Sequence, residues 1–291
     1  MKSAIVNARA IGIDTTKCYH TLSSWSLKAA LREQGMIPLV EKLREIIPNV
    51  QDQYTDPSFQ RDFNPYWELK TRGLHAFQVQ FVSECIDLIA NEKKQTALTM
   101  VDIGDSSGNH NIYLKNLLGN KLKRFVSANL DPVAVEKIQK KGAEAILCRA
   151  EELKLDHAVD LYTSFQMVEH LFNPVEFLNN LATKGSAQNL IFSVPLRFQS
   201  QVGLLELRRN HTEMAMTAEG THIFELSPED WTLLAQFSGW QLVKQKHYFQ
   251  YPKFHPLRIT SPIWNRYDFP GFWAGYFKRD LSTANRYKNW K

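Results

Sequence analysis

A short run of acidic, small and hydroxyl-bearing residues is the part of the sequence best suited to hold a ligand. An apolar run, 98–103, precedes it, and a helical pattern, 112–118, follows it. The run between them includes Gly104, Asp105, Ser106, Ser107 and Gly108. This order predicts a strand, a tight loop and a helix. Glycine permits positive φ and a close approach of the backbone, and the first turn of a helix has unpaired N–H groups. The loop is therefore predicted to hold something small and polar.

The glycine spacing excludes two common phosphate-binding loops. A P-loop requires Lys-Ser or Lys-Thr after its glycines, and neither pair follows Gly108. The dinucleotide fingerprint G-x-G-x-x-G fails because Ser106 and Asn109 stand where its second and third glycines belong. The spacing resembles instead the first motif of class I S-adenosylmethionine-dependent methyltransferases, Asp/Glu-x-Gly-x-Gly-x-Gly. Asp102, Gly104 and Gly108 match that motif, and Ser106 replaces its middle glycine.

Three later segments resemble the same family in the same order. The segment 127–135 is similar to the end of the family's second strand, with Asn129 where an acidic residue usually holds the ribose diol. The segment 148–153 resembles the one that contacts adenine, with Arg149 in place of the usual acid. The segment 159–171 resembles the fourth strand and its Glu-His-Leu exit. The resemblance implies that the cofactor-binding residues are Asp102, Gly104, Ser106, Gly108, Asn129, Leu130, Ala150, Glu151 and Phe165.

The catalytic candidates follow from the chemistry of methyl transfer. Displacement at a sulfonium methyl group needs alignment of the reactants and requires no metal and no covalent residue. An oxygen nucleophile must also lose a proton, for which a neutral histidine or a carboxylate is suited. Glu169, His170 and His222 are predicted at the carboxyl edge of the sheet, where open α/β folds bind ligands. The structural alternatives are a backbone hydrogen bond for His170, an ion pair with a surface cation for Glu169 and a capping interaction for His222.

Strands and helices alternate along the rest of the chain, which predicts a parallel sheet with helical crossovers. Strands are predicted at 98–103, 124–130, 143–148, 159–165, 189–194 and 239–248, with 273–278 as an antiparallel partner of the last. Helices are predicted at 25–34, 37–47, 75–91, 132–141 and 174–182, and after the capping residue Ser227. The predicted fold class is α/β, a doubly wound, mostly parallel seven-stranded sheet with helices on both faces, an N-terminal helical cap and an aromatic C-terminal extension.

The chain is expected to have two parts. Residues 1–74 form an N-terminal helical cap over the substrate mouth, and residues 75–291 form the methyltransferase-like domain. Within that domain, 197–221 is interpreted as a lid over the active site, and 248–291 as an aromatic extension that includes the last strands. The aromatic side chains of the extension either stack on a sugar, base or membrane surface, or pack the last strands against the N-terminal helices. Packing is the favoured interpretation.

The composition indicates a folded globular chain. Of the 291 residues, 44% are hydrophobic and 22% are charged, so a sizeable core is available. The net charge of +5 is scattered without a long basic block, which does not favour nucleic-acid binding. Three widely spaced cysteines predict neither a disulfide framework nor a zinc site, and no metal is expected. The sequence has no signal-peptide core and no long apolar segment, so a cytoplasmic protein without a transmembrane segment is expected.

The sequence therefore predicts a methyltransferase that uses S-adenosylmethionine and acts on a small molecule or a glycan, at an oxygen atom. Ser106, Asn129 and Arg149 all depart from the family pattern at cofactor-facing positions. They favour, as an alternative, a catalytically inactive methyltransferase-like protein that serves as a binding or partner subunit. A nucleic-acid methyltransferase is a third alternative, which rests on mild basicity and aromatic residues alone. The sequence predicts no oligomeric state.

Overall fold

The computed structural model describes residues 15–53, 63–93, 97–153, 155, 157–203 and 220–286. The helices are α1 (Thr15–Glu33), α2 (Ile37–Ile46), α3 (Pro65–Lys93), α4 (Asn109–Leu118), α5 (Pro132–Lys140), α6 (Pro174–Lys184), α7 (Pro228–Phe237) and α8 (Ser261–Tyr267). The strands are β1 (Leu98–Ile103), β2 (Leu122–Asn129), β3 (Glu144–Leu147), β4 (Leu161–Phe165), β5 (Asn189–Pro195), β6 (Gln201–Val202), β7 (Phe224–Glu225), β8 (Trp240–Phe249) and β9 (Gly271–Arg279). None of the described helices is long and apolar enough to cross a membrane.

Seven of these strands form one sheet in the order β3-β2-β1-β4-β5-β9-β8. Neighbouring strands among β1 to β5 pair in parallel, whereas β9 lies antiparallel between β5 and β8. Parallel neighbours need a crossover connection, and a helix between successive strands supplies it. The strands β6 and β7 form a separate antiparallel pair beyond the end of β5. The predicted fold, a doubly wound and mostly parallel Rossmann-like sheet, is confirmed.

Each face of the sheet carries its own apolar core, because successive residues of a strand point to opposite faces. Met100, Leu161 and Ile191 belong to the cluster that includes α1, α2 and α3. Val101 and Phe192 belong to the cluster that includes α6 and α7. Helices therefore cover both faces, as predicted. The carboxyl ends of β1, β2, β4 and β5 meet at one edge, and the loops at that edge are held by the two cores.

The aromatic C-terminal extension packs into both cores, since Trp264 and Tyr248 belong to the first and Trp273 belongs to the second. Trp264, Trp273 and Tyr248 are fully buried. The indole N–H of Trp264 donates to Ser26 Oγ in α1 at 3.1 Å, which joins the extension to the N-terminal helices. The interpretation of these rings as packing against the N-terminal helices is therefore confirmed for Trp264, whereas Trp273 packs in the core on the other face of the sheet.

Three boundaries differ from the sequence prediction, and the first of them is the start of α1, which is predicted at residue 25 and lies at Thr15. The helix predicted at 75–91 begins ten residues earlier, at Pro65. Asn64 acts as its cap, because its side-chain oxygen accepts from the N–H groups of Tyr66 and Trp67, and proline is tolerated at the first helical position. The predicted break at residue 74 thus falls inside α3. Much of the predicted lid, 204–219, lies outside the described residues.

Candidate active site

The loop after β1 has the conformation that the sequence predicts. Gly104 and Gly108 adopt φ values of +90° and +74°, in the region that glycine tolerates best. Asp105 closes the loop on itself, since its Oδ1 accepts from the N–H groups of Ser107 and Gly108 at 3.2 and 2.7 Å. Its Oδ2 accepts from Ser127 Oγ at 2.8 Å. Both carboxylate oxygens of Asp105 are therefore used within the loop.

Asp102 is the buried acid of this loop, with 1% of its surface exposed. Thr163 Oγ1 donates to its Oδ1 at 2.8 Å, and Oδ2 has no hydrogen-bond partner among the described residues. His110 Nδ1 lies 3.8 Å from Oδ2. Burial, and then the charge of Asp105, raise the pKa of Asp102 well above its usual value, which the hydrogen bond from Thr163 opposes. Such a carboxyl group would gain from a cationic partner.

The other predicted cofactor residues lie around the same loop. Asn129 donates to the Asp105 carbonyl at 2.8 Å and accepts from the Asp131 N–H at 2.8 Å, which leaves its amide one N–H and one lone pair. Leu130 is 52% exposed. The buried ring of Phe165 lies 4.5 Å from that of His110. Ser106 and Ala150 are half-buried, Arg149 is exposed, and the side chain of Glu151 lies outside the described residues.

Met167 covers the glycine loop from the opposite side. A Cβ atom placed on Gly104 would lie 2.5 Å from Met167 Cγ, so the methionine occupies the space that the glycine leaves open. The residue before it, Gln166, has φ +54°, the only positive φ outside glycine among the described residues. Strained backbone of this kind is concentrated at functional sites. Neither Met167 nor Gln166 was singled out from the sequence, because their roles depend on backbone conformation.

Glu169, His170 and His222 come together next to this segment, as predicted. Glu169 and His170 lie in a short 3₁₀ turn after β4, and the His170 and His222 rings are perpendicular with centroids 4.6 Å apart. Glu169 is 1% exposed, and neither of its carboxylate oxygens has a hydrogen-bond partner among the described residues. Burial raises the pKa of Glu169 to about 7, which the charge of His222 opposes. Burial, with a smaller effect of His222, lowers the pKa of His170 to about 4, so this ring is neutral at pH 7.

The hydrogen bonds of the two histidines match in part the structural roles considered from the sequence, a backbone hydrogen bond for His170 and a capping interaction for His222. His170 Nδ1 lies 2.8 Å from the Thr221 carbonyl, and His222 Nδ1 lies 3.2 Å from Glu225 Oε1. Each ring thus uses one nitrogen for orientation and keeps the other. The surface ion pair considered for Glu169 is wrong, because its carboxylate is buried without a partner.

Glu225 anchors the far side of the cluster. Its buried carboxylate accepts from Arg197 Nη2 at 2.8 Å and from Gln201 Nε2 at 2.5 Å, in addition to His222. Burial alone would raise the pKa of Glu225, but the hydrogen bond from His222 and the charge of Arg197 hold it below its usual value. Phe269 stacks on His222, with ring centroids 5.5 Å apart. The i, i+3 spacing of His222 and Glu225 was the only sign of this contact in the sequence.

A chain of polar side chains joins the glycine loop to the exits of β4 and β5. His110 Nε2 lies 2.8 Å from Gln78 Oε1, and Gln78 Nε2 donates to Ser193 Oγ at 2.8 Å. Gln166 Nε2 donates to the same hydroxyl at 3.2 Å. Because Gln166 precedes Met167, the chain fixes the backbone from which the covering methionine projects.

A cleft of about 580 Å³ lies farther along the sheet. Its lining includes Arg197 and Phe198, which follow β5, and Phe249, Tyr251 and Lys253, at and beyond the end of β8. Since β8 and β5 are both antiparallel to β9, the two ends lie at the same edge of the sheet. Arg197 belongs both to this cleft and to the contacts of Glu225, so the cleft adjoins the acid–base cluster.

Comparisons with known proteins found distantly similar solved structures. No family model matches the sequence, and no curated protein matches it. Among solved structures, the Bradyrhizobium japonicum N-methyltransferase NodS in complex with S-adenosylhomocysteine aligns at TM-score 0.46 and 12% identity, over 82% of this chain and 97% of that one. A Burkholderia thailandensis 1,6-didemethyltoxoflavin-N1-methyltransferase aligns at 0.46 and 11%, over 72% and 85%. The [4+2]-cyclase SpnF aligns at 0.47 and 12%, over 68% and 81%. Similarities at these TM-scores and identities assign no activity to this chain.

Proposed function

We propose that the protein is an S-adenosylmethionine-dependent methyltransferase that acts on an oxygen atom of a small-molecule or glycan acceptor. One observation carries the proposal. The segment after β4 packs Met167 on Gly104 and, two and three residues later, holds Glu169 and His170 in the cluster with His222. A loop suited to a small polar ligand and a buried acid–base group are therefore built into one turn at the carboxyl edge, where α/β sheets bind ligands.

The residues of the loop fit the methyl donor. The donor has a cationic amino group, and the unpartnered Asp102 Oδ2 is a suitable acceptor for it. Asn129 keeps one N–H and one lone pair for a ribose diol, and the exposed Leu130 follows it as an apolar contact for a base. Binding requires that the Met167 side chain leave Gly104, which its flexible thioether permits.

When bound, the donor supplies an electrophilic methyl group. The work left to the chain is to align the acceptor and to take its proton. Glu169, with a pKa of about 7, has the value that suits a general base near neutral pH. The ring of His170 is neutral and is oriented by its hydrogen bond to the Thr221 carbonyl, so it serves as a second acceptor at the same position.

The cleft beside the cluster is suited to a polar acceptor. Phe198, Phe249 and Tyr251 supply ring faces, and Arg197 and Lys253 supply hydrogen-bond donors. Ring faces next to charged donors suit a sugar or another polyhydroxyl compound, whose apolar faces stack while its hydroxyls accept.

A protein without catalytic activity that binds a partner or ligand is the second candidate. It is favoured by the hydrogen bonds that the polar groups of the loop make with one another. Asp105 accepts the N–H groups of Ser107 and Gly108, Asn129 bonds within the loop, and Met167 covers Gly104. Under this alternative the loop is a structural turn.

Titration calorimetry with S-adenosylhomocysteine separates the two candidates. We expect micromolar binding to the wild type and at least tenfold weaker binding to Asp102→Asn, which removes the partner of the amino group. Since Asn lacks the charge that burial penalises, this variant should fold at least as well as the wild type. Asp87→Asn, on the surface of α3, is the matched control and should bind normally. Well-folded wild type that binds no ligand would favour the second candidate.

A further inference from the structure

We propose that Glu169, His170 and His222 form a binding site for a divalent transition-metal ion. One ligand atom from each of the three side chains lies within 4.8 Å of those of the other two. The sequence predicts a general base at these positions, for which a single carboxylate and a single ring would be sufficient. The structure brings both rings and a carboxylate with two unpartnered oxygens, among the described residues, into one small volume.

The carboxylate is the strongest sign of a missing partner. Glu169 is 1% exposed, and neither oxygen accepts a hydrogen bond from any described residue. A buried carboxylate without a partner is costly, and side chains of this kind are normally paired or coordinate a metal. The guanidinium of Arg197, which contacts the same cluster, pairs with Glu225. A cation between Glu169 and the two rings would satisfy both oxygens.

The histidines are oriented as metal ligands are. Their outer hydrogen bonds run to acceptors, a carbonyl for His170 Nδ1 and a carboxylate for His222 Nδ1, so in the neutral rings each Nδ1 carries the proton. Each Nε2 then carries the lone pair that a metal requires. A ligating histidine almost always donates its other N–H to a carbonyl or carboxylate in this way. Thr221 and Glu225 therefore act as supports of the two rings.

A second group with metal-ligand spacing, Asp102, Asp105 and His110, lacks these features. Both oxygens of Asp105 already accept hydrogen bonds from the loop and from Ser127. His110 Nε2 is engaged with Gln78. Binding a metal there would break the hydrogen bonds that shape the loop. At Glu169, His170 and His222, the described residues make no hydrogen bond to the carboxylate oxygens or to the Nε2 atoms of the rings, so a metal would displace none.

Two imidazoles and one carboxylate define the class of ion. This set suits Zn²⁺, Fe²⁺ and other divalent first-row metals, and it leaves coordination positions open. Metal–nitrogen distances of about 2.1 Å require the three ligand atoms to move inward by less than about 1 Å each. The open positions would take an oxygen of the acceptor, and the ion would then lower the pKa of that oxygen in place of the general base, a step that rests on the proposed function. The metal site itself rests on side-chain geometry and does not depend on methyl transfer.

Cobalt titration tests the site, because Co²⁺ binds to zinc and iron ligand sets and absorbs visible light when bound. Full-length protein is stripped with a chelator and titrated with Co²⁺, without methyl donor or acceptor. We expect saturation at one equivalent, displacement by Zn²⁺, and a rise in Tm when the ion is bound. Glu169→Gln and His222→Asn should weaken binding at least tenfold. His247→Asn on β8 and His110→Asn in the second group are the controls and should bind as the wild type does.

The melting temperatures of the same variants show whether a loss of Co²⁺ binding is caused by unfolding. Glu169→Gln removes a buried charge, so in chelator it should melt at or above the wild-type temperature, yet gain nothing from added Co²⁺. The proposal is overturned if the wild type binds no Co²⁺, or if Glu169→Gln and His222→Asn bind it normally. It is also overturned if binding is lost in His110→Asn and kept in Glu169→Gln. Because no donor is present, failure of this test leaves the calorimetric test of the methyl donor untouched.

Discussion

The glycine loop and the acid–base cluster lie on the two sides of one turn, and they differ in how their polar atoms are used. In the loop, Asp105 accepts three hydrogen bonds from its surroundings and Asn129 makes two. In the cluster, Glu169 makes none among the described residues. A fold can stabilise itself with the first kind of group, whereas the second kind lowers stability until a ligand arrives. The difference supports the proposal that the chemistry takes place in the cluster and that the loop positions the donor, for which Asp102 Oδ2, also unpartnered among the described residues, is an acceptor.

The largest expected effect breaks the loop and leaves the cluster intact. In Gly104→Ala the new Cβ would lie 2.5 Å from Met167 Cγ, at a φ of +90° that alanine avoids. We expect a loss of about 3 kcal/mol in the free energy of unfolding, measured by urea denaturation. Gly142→Ala is the control, since its φ is +74° and nothing lies within 4 Å of its Cβ, so only the cost of about 1 kcal/mol for the backbone remains. Equal losses in the two variants would show that Met167 does not fill the space.

A second substitution breaks the support of the cluster and leaves the loop intact. Arg197→Ala would remove the cation that pairs with the buried Glu225 at 2.8 Å. Loss of one partner of a buried pair costs about 3 kcal/mol, so chemical denaturation should detect it. Lys278→Ala, which opens the exposed pair with Glu92, should cost less than about 1 kcal/mol. If Arg197→Ala also lost S-adenosylhomocysteine binding, the glycine loop would depend on the acid–base cluster, which would contradict the distinction between the two regions.

Met167→Ala tests how the glycine loop and the acid–base cluster are linked, because Met167 packs on Gly104 and lies two residues before Glu169. The substitution uncovers Gly104 and should cost about 1–2 kcal/mol of stability, since the side chain is only partly buried. Calorimetry should show S-adenosylhomocysteine binding that is at least as tight as in the wild type. Weaker binding would mean that the methionine forms part of the ligand site and does not merely cover it.

The last prediction is a pH dependence of stability in the loop, which develops only below pH 6.5. Burial lowers the pKa of His110 from 6.5 to about 4, which the charge of Asp105 opposes. Because the pKa of His110 is lower in the folded protein than in the unfolded chain, the unfolded chain binds more protons between pH 6.5 and 4. The free energy of unfolding therefore decreases as the pH is lowered through that window. His110→Gln has no such titration, so the wild type should lose stability relative to it from pH 6.5 downwards. If the free energies of unfolding of the two proteins, measured in urea, changed with pH in the same way, the lowered pKa of His110 would be contradicted.

The fold was largely readable from the sequence because its signals are local. The apolar run before Gly104, the caps at Asp131 and Ser227, and the prolines after them each predict an element boundary, and the structure has all of them. The start of α3 at Pro65 was missed, although Asn64 and Pro65 form the same cap-and-proline pattern that predicts the starts of α5 and α7.

The site was readable only in part. The sequence placed Glu169, His170 and His222 together, since they follow strands that end at one edge. It could not show that Glu169 is buried without a partner, because burial depends on how the chain after β5 folds back, with Ile223 N–H bonded to the Glu169 carbonyl. The covering role of Met167 was equally invisible, because it depends on the positive φ of Gln166.

Crystals grown with S-adenosylhomocysteine would show whether the donor binds at the glycine loop, through the electron density between Gly104 and Met167. We expect that the Met167 side chain has left Gly104, and that the amino group of the ligand lies within hydrogen-bond distance of Asp102 Oδ2. Density that shows Met167 still packed on Gly104 at saturating ligand, with no bound molecule beside Asp102, would contradict this expectation.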